Sequence, residues 1–544
     1  MATVEKFESH TIRDTNPLLS PLKTLIETTF YRNNVRKIDT LSQAYKLAKE
    51  HPRTIVTDIP IKHTHELGLP EDATILVENS GKIVGRSAKA RRIVNQNKEE
   101  DKLLSDLIKD SMKDNYNRQF YHATAVVGLD QDFMVKAHLC INDNQANNLL
   151  SWLLNFQIFN DEYKKLYNES VQYLENDIYV YFDSEWQHPN YPLGLSYFDP
   201  LHNVVCILGM NYFGELKKGT LTLAWATAYR HGFVSCHGGL KLFKKTDHNY
   251  VASFFGLSGS GKSTLTHAKH DNKFDIQVLH DDAFIININN GSSIALEPSY
   301  FDKTQDYPTG HPEQDYFLTV QNVGVTLNLD LKRVLVTQDI RNGNGRTVKS
   351  RYSTLNRVDK INEPINAVYW IMKDDSLPPL LKINDPILAS TFGLTLATKR
   401  TTAETGVIDP NALVIEPYAN PFRVYNLLDD YNRFKELFMK GDVSCYVINT
   451  GYYLEQKIPK EVTLEIIEND VNGTNEFRPF INHPQIEYAM VEGFEIPENK
   501  GYFETIKKRM QYRIDFINQH NLEHPNDRLP DETLAAIESV TKFI

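Results

Sequence analysis

Cysteine is scarce: four residues, at 140, 206, 236 and 445, in a chain of 544, with no pair at the spacing of a metal ligand set. That excludes a disulfide-built scaffold and points to buried thiols in a reducing compartment. No apolar run reaches the roughly 18 residues that a membrane-spanning helix needs, and none is expected. The opening segment MATVEKFESHTIRD has no apolar signal core, so the expected location is the cytoplasm. Positive charge is also short. With 59 Lys and Arg against 70 Asp and Glu, the net charge of −11 excludes the broad basic footprint of a duplex nucleic-acid binder. It leaves room for a local basic cleft holding a small anion. Internal repeats and low-complexity stretches are missing as well.

What is present is ordinary globular composition, with 41% hydrophobic and 24% charged residues. A single core rarely grows past roughly 250–300 residues, so two domains are expected. Helical patterning marks the segments LSPLKTLIETTF, TLSQAYKLAKE and 146–170, and a turn and helix at 212–232. Strand-like runs fall at 73–79, 82–87, 122–130, 176–183 and 203–209. From 240 onward the texture is strand-rich, in YVASFFGL, FDIQVLHDDAFIINI, FLTVQNVGVTLNL and KRVLVTQDI, then 366–372 and 443–451. Two helices, FETIKKRMQYRIDFINQH and DETLAAIESVTKF, close the chain. The class is α/β, with an N-terminal domain over 1–240 and a larger nucleotide-binding domain of mixed sheets over 241–544.

The clearest local signal is Gly256-Leu257-Ser258-Gly259-Ser260-Gly261-Lys262-Ser263-Thr264, a G-x-x-x-x-G-K-[ST] phosphate loop. It follows the apolar run VASFF and precedes the helix-compatible TLTHAKH, which is the context the motif requires. Glycines let backbone amides curl around phosphate, Lys262 reaches the terminal phosphates, and Ser263 offers an oxygen to magnesium. Downstream, His280-Asp281-Asp282 ends the strand FDIQVL, where carboxylates can hold a divalent ion directly or through water. Arg86, Lys217, Lys218 and Arg351 are basic residues that the loop does not explain, and a guanidinium can clamp a carboxylate at two points.

Together these motifs resemble the ATP-using phosphoenolpyruvate carboxykinases over nearly the whole chain. The family's G-R-S-P-K-D is matched by Gly85-Arg86-Ser87-Ala88-Lys89-Ala90, and its Y-G-G-E-M-K-K by Tyr212-Phe213-Gly214-Glu215-Leu216-Lys217-Lys218. Its H-C-S-A-N is matched only in the histidine of His237-Gly238-Gly239-Leu240-Lys241, whereas its G-L-S-G-T-G-K-T-T closely matches the loop. The aspartate pair, the N-T-R arginine at Arg351, Asp375–Pro379 for F-G-V-L-P-P and Ile448–Gly451 for V-N-T-G complete the order. A cysteine-containing loop marks the GTP-using relatives, and this loop has none.

The resemblance implies a two-domain carboxykinase-like fold, and roles residue by residue. Arg86 and Arg351 would hold the substrate carboxylate, Tyr212 and Ser258 would sit beside substrate, and Lys217, Lys262 and Arg351 would meet the transferred phosphate of the nucleotide. Lys218, His237 and Asp282 would bind a catalytic transition metal, Mn2+. Ser263 and, through water, Asp281 would serve the nucleotide's Mg2+, and Lys457 and Thr463 would flank the nucleotide. The implied reaction converts oxaloacetate and ATP to phosphoenolpyruvate, CO2 and ADP, reversibly, in a monomer without nucleic-acid or membrane partners. The segment LATKRTTAETGV is similar to the family's mobile lid. Two alternatives remain open: a kinase of another small carboxylate metabolite, and a nucleotide-binding regulator without catalysis.

Overall fold

The computed structural model describes residues 20–79, 88–95, 97–339, 343–399, 412–440 and 443–543. The chain divides into two compact units. Of the described residues, those within 20–227 and 296–353 form the first, and those within 228–295 and 354–543 form the second. A single cut at residue 240 would assign Leu296–Ser353 to the second unit. Strand pairing draws it back instead, because Phe317–Gln321 runs parallel to Thr74–Glu78, with Thr319 opposite Leu76.

In the first unit, an eight-stranded mixed sheet is built around the hairpin Phe120–Asp130 and Phe133–Asn142. Ile178–Asp183 and Val204–Leu208 are buried along their whole length, as expected of strands covered on both faces. A five-stranded sheet holds Tyr300–Lys303, Arg346–Lys349, Phe317–Gln321, Thr74–Glu78 and Thr54–Pro60. The helix expected over 146–170 is interrupted. Ala146–Asn155 is wholly buried, Gln157–Ile158 then pairs with Val126 and Ala125, and Asn160 caps a new helix at Asp161–Glu169. The apolar FQIF segment has a sheet edge to join, and that pairing outcompetes helix continuation. The run 317–329 also divides: Asn322, at φ 63°, ends one strand, and Gly324–Leu327 forms a hairpin with Arg333–Val336.

In the second unit, an eight-stranded sheet carries Tyr250–Phe255, Ala367–Met372 and Ser444–Asn449 as adjacent parallel strands. Antiparallel strands complete it on both sides, including Gly239–Lys244 and Asp275–His280. The core on one face stacks Phe254, Tyr369 and Tyr446 at ring-centroid separations of 5.1 and 4.9 Å. A four-stranded sheet pairs Phe233–His237 with Ala283–Asn287. All four cysteines are buried free thiols. Among the described residues no helix is long and apolar enough to cross a membrane.

Within the first unit, His122 lies edge-on to Phe30 at 4.9 Å and 5.7 Å from the ring of His138. Burial, then the charges of His138 and Lys37, push its pKa down to about 4. The unfolded chain therefore takes up a proton near pH 6.5 that the folded one refuses until about pH 4. Stability at this position is full above 6.5 and is lost as pH falls through that window, by about 3 kcal/mol at most. Urea midpoints measured at pH 7 and 4.5 should fall further for the wild type than for His122→Asn. Equal losses would remove His122 from the acid response.

Candidate active site

The three parallel strands of the second unit end together at the phosphate loop. Tyr250–Phe255 runs directly into Gly256, where a Cβ would stand 2.3 Å from Ser260 Oγ and 3.0 Å from Ile371 Cβ. Only glycine fits there. Gly259 and Gly261 have φ of 75° and 102°, the left-handed turns that fold the loop back before the helix Lys262–His267. The neighbouring strand ends tie the loop down. Lys373 Nζ donates to the Gly259 carbonyl at 2.6 Å, and Thr450 Oγ1 donates to the Ser260 carbonyl at 2.6 Å. Ser258, Ser263 and Thr264 are exposed, while Leu257 and Lys262 are partly buried. Ligand sites at the carboxyl ends of parallel strands are the rule for such sheets.

Lys262 Nζ stands 3.9 Å from Asp282 Oδ1, and the same oxygen lies 3.0 Å from His237 Nε2. The strands carrying these residues are neighbours: His237 opposes Ala283, and Gly238 N donates to the Asp282 carbonyl at 3.1 Å. His237 Nδ1 is held by the Ala419 carbonyl at 2.5 Å. A carbonyl only accepts, so Nδ1 carries the hydrogen and Nε2 is turned to the carboxylate. A ring nitrogen aimed at a carboxylate oxygen calls for a cation between them, a proton or a metal ion. An imidazole anchored by its other nitrogen is also the usual support of a metal ligand. Asp281, buried, has its carboxyl below the usual range. Burial alone would raise it, but the hydrogen bond and charge of His267 at 3.4 Å, with His280 and Lys262, outweigh that. Among the described residues, no group of three or more His, Cys, Asp or Glu side chains is set to hold a metal. His237 and Asp282 are therefore a two-donor pair.

The first-unit candidates fall at and near the start of the helix Phe213–Arg230, which is buried from Phe213 to Ala228. Tyr212 folds its ring over Gly214, where a Cβ would come within 2.4 Å of the ring. Its hydroxyl receives Arg346 Nε at 3.5 Å. Glu215 is clamped at two points by Arg91, at 2.9 and 3.1 Å. Lys217 is completely buried, with Nζ 3.0 Å from Glu297 Oε1 and 5.5 Å from the Phe301 ring. Lys218, one residue on and about 100° around the helix, has Nζ 5.8 Å from the Trp225 ring. Arg351 opens a short 3-10 turn and is partly buried.

A sequence profile described as phosphoenolpyruvate carboxykinase, of the ATP type, matches residues 55–498. The chain belongs to this family. Among its relatives, the phosphoenolpyruvate carboxykinase (ATP) of Aeropyrum pernix is 27% identical over 291 residues, covering 49% of this chain and 55% of that protein. The Thermus thermophilus protein of the same name is 26% identical over 310 residues, covering 54% and 55%. That of Staphylococcus haemolyticus is 25% identical over 284 residues, covering 50% and 51%. The chain thus spans about half the length of the curated relatives it matches.

Within this carboxykinase framework, the loop residues, Lys262, Asp281, Asp282 and His237 are brought together in the second unit. Arg86 lies outside the described residues, as do positions 400–407 of the lid-like segment. Lys457 is exposed on the small hairpin Tyr452–Tyr453 and Gln456–Lys457. Thr463 is buried, with its hydroxyl donating to the Pro459 carbonyl at 3.3 Å. Sequence reading missed Lys373 and Thr450 as anchors of the loop, and Arg346 as the partner of Tyr212. Thr450 stands in the stretch Ile448–Gly451 matched to V-N-T-G, whereas the only sequence signal of Lys373 is that it follows an apolar strand.

Proposed function

We propose that this family member catalyses the reversible ATP-dependent conversion of oxaloacetate to phosphoenolpyruvate, CO2 and ADP, in the cytoplasm, as a gluconeogenic carboxykinase. The observation that carries the reading is Asp282 Oδ1 standing 3.0 Å from His237 Nε2 and 3.9 Å from Lys262 Nζ of the phosphate loop. These distances support a reading in which the metal-ligand pair and the phosphate-binding lysine share one carboxylate. In this reading the second unit serves nucleotide and metal, and the first serves the small acid. The protein acts as a monomer without nucleic-acid or membrane partners.

The loop amides hold the ATP polyphosphate, and Lys262 neutralises the phosphoryl group in transfer. Ser263 and Asp281 would attend the nucleotide's Mg2+, with Asp281 kept ionised by His267, His280 and Lys262. His237 and Asp282 would hold a Mn2+-like ion, and the family resemblance also names Lys218 as a ligand. When bound, that ion would supply Lewis-acid stabilisation of enolate charge. The Ala419 carbonyl keeps His237 in the tautomer that ligation needs. By the family resemblance, Arg86 and Arg351 would clamp substrate carboxylate, Tyr212 and Ser258 would serve the same substrate, and Lys217 and Arg351 would add positive charge for the phosphoryl group. Lys457 and Thr463 flank the nucleotide.

A coupled assay with purified protein, comparing ATP with GTP and Mn2+ with Mg2+, tests the reading. ATP- and oxaloacetate-dependent CO2 release is expected. Arg86→Ala should raise the KM for oxaloacetate by roughly tenfold or more, the cost of losing a charged two-point contact, and leave nucleotide affinity nearly unchanged. Phosphorylation of a different carboxylate in place of oxaloacetate would overturn the substrate assignment.

A further inference from the structure

Beneath the phosphate loop lies a buried cation that the proposed mechanism does not use. Lys241, on the strand Gly239–Lys244, has no solvent exposure. Its ammonium reaches the carbonyls of Leu265 at 2.6 Å and Ala268 at 3.3 Å, and His270 Nε2 at 2.8 Å. Three N–H donors thus meet three acceptors. The rings of Phe243 and Phe254, at 4.7 and 5.6 Å, wall the ammonium in.

The acceptors are not arbitrary. Leu265 belongs to the helix Lys262–His267 and Ala268 follows it, so Lys241 grips the carboxyl end of the element that Lys262 and Ser263 begin. Side chains alternate along a strand, so position 239 faces the same helix as position 241. Position 239 is glycine because a Cβ there would stand 1.9 Å from Thr266 Oγ1. Glycine lets the helix lie on the strand; lysine two residues later reaches past it to the helix end.

The hydrogen bonding continues beyond it. A carboxylate only accepts, so His270 Nδ1–H donates to Glu468 Oε1 at 2.9 Å, which leaves Nε2 to accept from Lys241 Nζ. Burial, then the charge of Lys241, push His270 down to about 4, leaving a neutral imidazole to relay between cation and carboxylate. Burial also pushes Lys241 well below the usual lysine range, against which stand the charge of Glu468 and the three acceptors around Nζ, as many as an ammonium has donors for. Glu468 lies on the helix Lys460–Asn472, which also holds Thr463.

We propose that Lys241, relayed through His270 to Glu468, is a positioning residue that holds the phosphate-loop helix in register for nucleotide binding. An apolar side chain of the same length would fill the space without the desolvation cost of a buried cation. What it would not supply is a directional hold on two helix-end carbonyls. The inference rests on the nucleotide reading given above and assigns it a support that the loop motif does not contain.

The test uses the full chain and a fluorescent ATP analogue with Mg2+, alongside turnover kinetics and melting curves. Lys241→Met should weaken ATP binding about tenfold, equivalent to about 1.4 kcal/mol. The KM for ATP should rise in parallel, with kcat at saturating ATP and the KM for oxaloacetate within about twofold, the split expected when binding alone is lost. Glu468→Gln should weaken ATP binding in the same direction by a few-fold. The double variant should be no weaker than Lys241→Met, because the groups act in series. A folded Lys241→Met with wild-type ATP affinity overturns the proposal, whatever its melting temperature. If Lys241→Met does not fold, Glu468→Gln decides, and unchanged affinity there overturns it. A wild type that binds no ATP overturns the nucleotide reading itself, an outcome separate from either.

Discussion

Lys262→Met is expected to lower ATP-dependent turnover on the order of 10³-fold, the scale of removing a preorganised charge from a phosphoryl-transfer site. The fold should tolerate it. The loop is held by Lys373 on the Gly259 carbonyl and Thr450 on the Ser260 carbonyl, neither of which involves the Lys262 side chain. Thr266 Oγ1 uses only the backbone carbonyl of Lys262, at 2.9 Å. Methionine preserves the length of the stem and removes the charge. Steady-state kinetics at saturating ATP and oxaloacetate, beside a melting curve, would separate the two effects. An unchanged melting temperature with a collapsed kcat supports the role. Turnover within about tenfold of wild type would place the phosphate-neutralising charge elsewhere, since a single weak contact costs no more than that.

The phosphate loop was legible in the sequence because its requirements are local. The tightest contact at Gly256, with Ser260, and the dihedrals of Gly259 and Gly261 all lie inside nine consecutive residues, and the strand before them reads as an apolar run. The grip on that loop was not legible. Lys373 meets Gly259 across 114 positions and Thr450 meets Ser260 across 190, and neither side chain differs in type from a solvated one. Lys241 was hidden for the same reason, appearing only as the last residue of a segment departing from the family's H-C-S-A-N.

The division into units shows a different limit. Composition changes near residue 240, but the return of Leu296–Ser353 to the first unit depends on which strand edge Phe317–Gln321 finds. Thr74–Glu78 offers that edge, and nothing in either stretch names the other. The broken helix after Asn155 is a smaller case: propensity favoured continuation, and a free edge at Ala125 and Val126 took the residues instead. Asp282 became a candidate from its place at a strand end downstream of the phosphate loop, and His237 through family resemblance, since a lone histidine in a strand is far more often structural. Their pairing at 3.0 Å is what gives the assignment physical content.

Asp282→Asn should then weaken Mn2+ binding by roughly 10- to 100-fold and lower turnover at limiting metal by at least as much. The substitution keeps the side chain's size and its place 3.0 Å from His237 Nε2, while removing the negative charge that a divalent ion needs. It also releases Lys262, whose Nζ has this carboxylate at 3.9 Å. A purely electrostatic partner of the loop lysine and a metal ligand therefore predict opposite results. If Asp282 only restrains Lys262, neutralising it frees the lysine for phosphate, and ATP affinity rises with no change in the metal titration. If it is a ligand, manganese titrations by calorimetry or paramagnetic resonance shift to higher concentration, and excess Mn2+ restores part of the lost activity. His237→Gln should shift the same titration in the same direction, because it removes the imidazole nitrogen that faces Asp282 Oδ1 at 3.0 Å. Unaltered Mn2+ binding in both variants would sink the metal assignment while leaving the loop's role in nucleotide binding standing.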